Sequence, residues 1–334
     1  MIKGFSKIAL VLAAALLLAP AQSFAAKKIS IKIGHGLTEF SAMHLGFVKF
    51  KEELERISQD FDVQIYPNQQ LGGDRELTEG AQLGSVTITS PSSSPLAAFE
   101  KDFFILDAPF LFANRAEVFA ALDGDMGQKL YAKLPAINLV GLAYWENGFR
   151  NLTNSRNEVH MPEDVKGLKL RTMENAIHLA AWKAIGANPT PMAFGEVFTA
   201  LQQKTVDGQE NPFGQIYDNK YYEVQPFITR SQHVYTPFTV ICNKDWWEDE
   251  LNAEQREKVM EAIKVATAHQ RKVAEELDDK AAASIEKTGR TIVSLTPEQV
   301  TAFRNAAAPV AEEIKARVSP EAYKMYIDYL DSKK

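Results

Sequence analysis

The sequence predicts an α/β fold in two lobes with a ligand cleft between them, and three observations carry that prediction. Short stretches of alternating apolar residues are followed by stretches whose apolar residues recur every three to four positions, the grammar of strands covered by helices. That grammar runs from Ile29 to about Thr89 and is repeated from Leu139 onward. A run from Asn252 to about Lys287 holds neither Gly nor Pro. As one helix it would be roughly 50 Å long at 1.5 Å per residue, too long for one lobe, so it is expected to act as a strut across both.

In order along the chain, Ile29 to Ile33 alternates as a strand and is broken by Gly34-His35-Gly36. A helix through His44 to Ser58 follows, with Phe47, Phe50, Leu54 and Ile57 on one face. Phe61 to Tyr66 is a second strand, and Asp74 is a candidate N-cap for a helix to about Leu83. Val86 to Thr89 is a third strand. The segment Ser90-Pro-Ser-Ser-Ser-Pro95 is too rich in turn formers to continue as strand or helix. Strands are then expected at Leu139 to Tyr144, at Gly148 to Thr153 with Arg150 inside it, at Leu168 to Arg171 and at His233 to Cys242. Helices are expected at about Ala176 to Ile185 and Gly195 to Gln203. The long run opens on Asn252 with Gln255 three residues on, which resembles a capping box. Shorter helices follow Thr296, Ala308 and Ser319.

The chain has 334 residues, 43 acidic against 37 basic, and a formal charge of −6. Residues 1 to 25 read as a secretory signal: Lys3 and Lys7, an apolar run from Ile8 to Ala19, and small residues at Ser23 and Ala25. Cleavage after Ala25 would leave 309 residues (334 − 25) and a charge of −8 (−6 − 2), enough chain for two domains. An acidic chain without a basic tract is a poor nucleic-acid binder. Cys242 is the only cysteine, which rules out an intramolecular disulfide and a thiol-rich metal cluster. An exported chain of this kind is expected in a bacterial periplasm.

The most informative stretch is Gly167 to Pro212, GLKLRTMENAIHLAAWKAIGANPTPMAFGEVFTALQQKTVDGQENP. Arg171 closes a short apolar strand there, and an arginine's planar fork can hold a carboxylate through two parallel charged hydrogen bonds. This stretch resembles the central signature of the DctP-type solute-binding proteins of TRAP transporters. The resemblance extends over essentially the whole mature chain and is densest from Trp145 to Asn211. It implies a periplasmic-binding-protein-like fold, with one lobe of about 26–147 and 237–276 and another of about 148–236 and 277–334.

The resemblance also implies roles. Arg171 would bind the ligand's carboxylate, and Arg150 would be a second arginine facing the ligand. Asn211, in Gln209-Glu210-Asn211-Pro212, would add polar contacts, since an amide reads either a carboxylate or a hydroxyl. Phe194 would pack against the ligand's carbon skeleton. Glu174 stands where members that bind sialic acid place an asparagine. It is expected to pair with Arg171, to cap the next helix, to accept from ligand hydroxyls or to meet an amino group, which argues against sialic acid and leaves the ligand open among organic acids. His35, Glu39 and the serines around Ser92 are expected to supply contacts from the first lobe.

Enzyme chemistry finds little support in these residues. Glu174 and His178 stand four apart, a spacing that permits metal ligation, but a catalytic zinc needs three protein ligands. No Gly-x-Ser-x-Gly, Gly-x-Gly-x-x-Gly or Walker motif occurs, and Cys242 sits in an apolar run as a core residue would. The expected role is a monomeric receptor without cofactor, metal or turnover. It would capture a small organic anion and deliver it to the small and large membrane subunits of a TRAP permease, driven by an ion gradient on the resemblance alone. A periplasmic enzyme acting on a carboxylate, or a receptor for a signalling partner, are the alternatives.

Overall fold

The computed structural model describes residues 28–333; the expected signal segment lies outside them. Among these residues, eleven strands form two sheets. The first runs β2-β1-β3-β10-β4 and the second β11-β9-β5-β8-β6-β7. The strands are β1 (Ile29–Gly34), β2 (Phe61–Tyr66), β3 (Ile88–Thr89), β4 (Leu139–Phe149), β5 (Asn151–Asn154), β6 (Lys169–Thr172), β7 (Asn188–Pro191), β8 (Gly208–Asn211), β9 (Phe227–Arg230), β10 (Tyr235–Asn243) and β11 (Ile292–Ser294). The chain passes between the sheets three times: from β4 to β5, from β9 to β10, and from β10 to β11 through the long helix.

Each lobe is built on parallel neighbours. β1 pairs in parallel with β2 and β3, and β6 pairs in parallel with β7 and β8. Parallel strands need both faces covered. The first sheet buries Ile31, Ile33 and Val63 against Phe47, Phe50 and Leu54 of the helix Ala42–Ile57 and against Trp145. Each such side chain stabilises the fold by about 1.5–3 kcal/mol on burial. Cys242 lies in this core and is fully buried, which pushes its thiol pKa far up.

The long helix spans Ala253–Lys287 and opens with the expected capping box on Asn252 and Gln255. Val259, Ala262, Ile263 and Ala266 pack in the first core, whereas Ala281, Ala282 and Ile285 pack in the second. At its middle, Gln270 donates to the Glu146 carbonyl at 2.8 Å and accepts from the Glu146 amide at 2.9 Å. Asp278 accepts from the Gly214 amide at 3.0 Å. The strut is thus tied to β4 on one side and to the helix Phe213–Asp218 on the other.

Several local expectations are corrected. Asp74 is the first residue of the helix Asp74–Gln82, not its cap, which is Gly73. The serine-rich segment does make a single helical turn, Ser93–Leu96. β4 runs unbroken through Glu146 to Phe149, with Gly148 at φ +126° absorbing an irregularity, so Arg150 sits at the joint between β4 and β5. β7 carries Pro189 and Pro191 and is tolerated because it is the sheet's edge. Among the described residues no helix is long and apolar enough to cross a membrane.

Candidate functional site

Carboxyl ends of parallel strands from both sheets converge on one cleft, where open α/β sheets place ligands. From the first lobe come Gly36 and Leu37 after β1, Gln69 after β2, the helix start at Gly73 to Glu76, Ser92 after β3, and Phe238 of β10. From the second come Arg171 in β6, Met173 and Glu174 after it, Met192 to Phe194 after β7, and Asn211 ending β8. Arg150 and Asn147 enter from the joint between the sheets. The empty space, mouth included, is about 670 Å³, within the range of small-molecule sites. The lobes approach closely across it: a Cβ added to Gly195 would lie 2.6 Å from the Gln69 side-chain oxygen.

Arg171 is 2% exposed. Its neighbours Leu170 and Thr172 turn to the opposite face of β6, as alternation requires. The Met192 amide donates to the Thr172 carbonyl at 3.1 Å, which brings the Met192 carbonyl beside the guanidinium. That carbonyl accepts from Arg171 Nε at 3.0 Å and Nη2 at 2.7 Å. Nη1 is buried without a partner. Burial lowers the pKa to about 10, so the group is charged at neutral pH. No carboxylate lies within 4.0 Å of it among the described residues, Glu174 included. A buried cation with one idle donor is costly unless something anionic completes it.

Arg150 is completed from within. Its Nε and Nη2 hold both carboxylate oxygens of Glu210, and Nη2 also donates to the Glu210 carbonyl. Burial acts to raise the Glu210 pKa, but Arg150 and a bond shared with His233 outweigh it and hold the carboxylate far below its usual range. The pair pins β5 to β8, where Asn151 faces Asn211. Asn211, which lines the cleft, donates to the Gln209 side chain at 2.6 Å, and its own side-chain oxygen accepts no hydrogen bond from the described residues. Phe194 is half-buried, its ring 6.5 Å from that of Tyr221.

Six of the eight residues expected from sequence line this cleft: Arg171, Arg150, Asn211, Phe194, Glu174 and Ser92. Ser92 Oγ is buried without a partner, and the Ser92 amide donates to Asp74 Oδ2 at 3.1 Å. Glu174 is exposed and caps nothing; the cap of the helix Ala176–Ile185 is Asn175. The other two, His35 and Glu39, do not line it. His35 is buried beneath the cleft, where His44 shares a hydrogen bond with it at 3.0 Å and Phe47 stacks on it at 5.8 Å. Glu39 is exposed and does not line the cleft.

Glu174 and His178 do not act together. His178 is buried and shares hydrogen bonds with Asp107 and Ser94 instead. No group of three or more His, Cys, Asp or Glu side chains among the described residues is arranged to hold a metal. Sequence reading missed Asp74, Gln69, Asn147 and Gln215 as lining residues. The Gly72-Gly73 turn before Asp74 was the one available signal for the first of these.

A model of the family described as bacterial extracellular solute-binding protein, family 7 (DctP), matches residues 33–317. A solved structure of the sugar acid binding protein DctPAm from Advenella mimigardefordensis, in complex with galactonate, is similar at a TM-score of 0.88. It is 38% identical, covering 92% of this chain and 99% of that one. A solute-binding protein from Verminephrobacter eiseniae is 38% identical over 89% of this chain and 88% of its own length. The C4-dicarboxylate-binding periplasmic protein DctP of Rhodobacter capsulatus is 36% identical over 94% of both chains.

Proposed function

Because the chain belongs to bacterial extracellular solute-binding protein family 7, the DctP family of TRAP transport systems, we propose that Arg171 seizes the carboxylate of its organic acid. The chain is the solute-binding component of such a system. The observation that carries the Arg171 assignment is the guanidinium clamped by one backbone carbonyl, with Nη1 left idle in the cleft. An incoming carboxylate would complete it with a charge-assisted bond in a place water scarcely reaches. Arg150 and Asn211 add polar contacts and Phe194 shapes the apolar side. The relatives' ligands, galactonate in one and C4-dicarboxylates in another, are both small organic acids.

The acid would bridge two bodies, 26–147 with 237–276 and 148–236 with 277–334, and so favour the state in which both touch it. The receptor would work as a monomer in the periplasm after cleavage behind Ala25, and present its closed form to the small and large permease subunits. The role is stoichiometric binding: acid incubated with the protein should be recovered unchanged. Calorimetry on Arg171→Ala tests the core of this. Affinity for any acid that binds the parent should fall at least ~100-fold, since one buried charged partner is lost. The melting temperature without ligand should scarcely move, because removing an uncompensated buried charge offsets the two lost hydrogen bonds. Retained affinity together with a large stability loss would refute it.

A further inference from the structure

Three guanidinium groups line the cleft. Arg75 is tied to Glu79 at 3.1 Å and Arg150 to Glu210, so among the described residues Arg171 is the lining guanidinium without a carboxylate partner. The carboxylates lining the same cleft are Asp74, Glu76 and Glu174. None of these three has a basic side chain within 4.0 Å among the described residues. A ligand's first carboxylate therefore finds a cation without a carboxylate partner, whereas a second carboxylate on the first-lobe side would stand beside Asp74 and Glu76, where the cation at hand, Arg75, is already paired with Glu79.

Asp74 is the most constrained of the three. It begins the helix Asp74–Gln82, and its Oδ2 accepts from the Ser92 amide. Its Oδ1 makes no hydrogen bond and faces the side where Gly36 leaves room, 3.7 Å from a Cβ placed there. Ser92 Oγ, on the residue whose amide holds Asp74, is itself buried and unpartnered. One fixed acceptor and one hydroxyl able to donate or accept thus stand together on the first lobe, across the cleft from Arg171.

We propose that Asp74 and Ser92 form a hydroxyl-reading pair, and that the cleft therefore selects acids with one carboxylate and a hydroxylated carbon chain over dicarboxylates. This rests on the assignment of Arg171 as the carboxylate site. The physical reason is asymmetric. A hydroxyl donating to an ionised carboxylate makes a charge-assisted bond, a plain methylene there leaves two polar groups without partners, and a second carboxylate meets like charge.

Four-carbon probes isolate the effect: threonate, butanoate and succinate, titrated by calorimetry into the parent protein, Asp74→Asn and Ser92→Ala. The parent should bind threonate at least ~10-fold more tightly than either other acid, the scale of one charge-assisted hydrogen bond. Asp74→Asn keeps an acceptor for the Ser92 amide, and should cut the threonate-to-butanoate ratio about 10-fold while narrowing the handicap of succinate. Ser92→Ala, a smaller change, should lower the same ratio about 3-fold. A uniform loss for all probes, which a purely structural role would give, cancels in the ratio and overturns the assignment. So does succinate binding as tightly as threonate, or no binding of any probe at millimolar concentration. If other acids then bind in an Arg171-dependent way, the receptor reading stands and only the hydroxyl selection falls.

Discussion

Glu210, buried, and Asp74, half-buried, show how two carboxylates acquire opposite tasks. Glu210 is enclosed with Arg150, and replacing it by Gln would strand a buried guanidinium. Glu210→Gln should therefore cost about 3–5 kcal/mol in urea denaturation. Asp74 faces the reverse situation: burial raises its pKa from 3.8 to about 6. Its folded state prefers the protonated form, so its contribution is fully present below about pH 4 and is lost as pH rises through 6. Asp74→Asn should then raise the melting temperature at pH 7 but not at pH 4, by the equivalent of about 1 kcal/mol after allowance for partial exposure. A variant that is no more stable at pH 7 would contradict that account. Arg171, Arg150, Asn211 and Phe194 were legible because they sit in one contiguous motif. Asp74 was read only as a helix cap, because nothing local tells a capping carboxylate from one that also faces a cleft. His35 falls outside the cleft lining for a related reason: a polar residue just after a strand can turn under the loop as readily as toward the cleft.

Elements follow the same logic of close approach. Gly46, on the helix Ala42–Ile57, lies against the long helix where Trp145 and Gln270 cross. A Cβ there would stand 2.8 Å from the Trp145 ring and 2.9 Å from Gln270 Cβ. Gly46→Ala should destabilise by about 1–3 kcal/mol through overpacking, with ligand affinity unchanged once the protein is folded; equilibrium unfolding and calorimetry on one preparation check both halves. The long helix, the helix Ala176–Ile185 and the strand Phe61–Tyr66 were readable because each carries its own period and caps. β8, Gly-Gln-Glu-Asn, carries no apolar residue, and β7 carries two prolines. Their strand character comes from neighbours in the sheet, so no local pattern could announce them. The helices Arg115–Asp123 and Asp125–Tyr131 went unread as well; the first has its apolar residues spread around its circumference rather than along one stripe.

At the scale of the molecule, the two lobes meet where Gln69, held in a left-handed conformation at φ 59°, reaches Gly195. Gly195→Leu should hold the lobes apart, weakening acid binding about 10-fold through the closure equilibrium rather than through any ligand contact. By small-angle scattering the parent's radius should shrink when acid is added, whereas that of the variant should stay the same with and without acid. A radius that shrinks as in the parent would show that closure does not pass through this contact. The two-lobed plan was legible from the repeated grammar and the uninterrupted long helix. The face-to-face arrangement of strand ends was not, since it depends on how three crossings orient the sheets. The single thiol has a practical corollary. Cys242 is sealed inside the first core and its proton is hard to remove, so maleimide reagents should pass it by. A cysteine placed at exposed Phe40 or Tyr217 would then be the sole labelling target, and a dye attached there could turn acid capture into an optical signal.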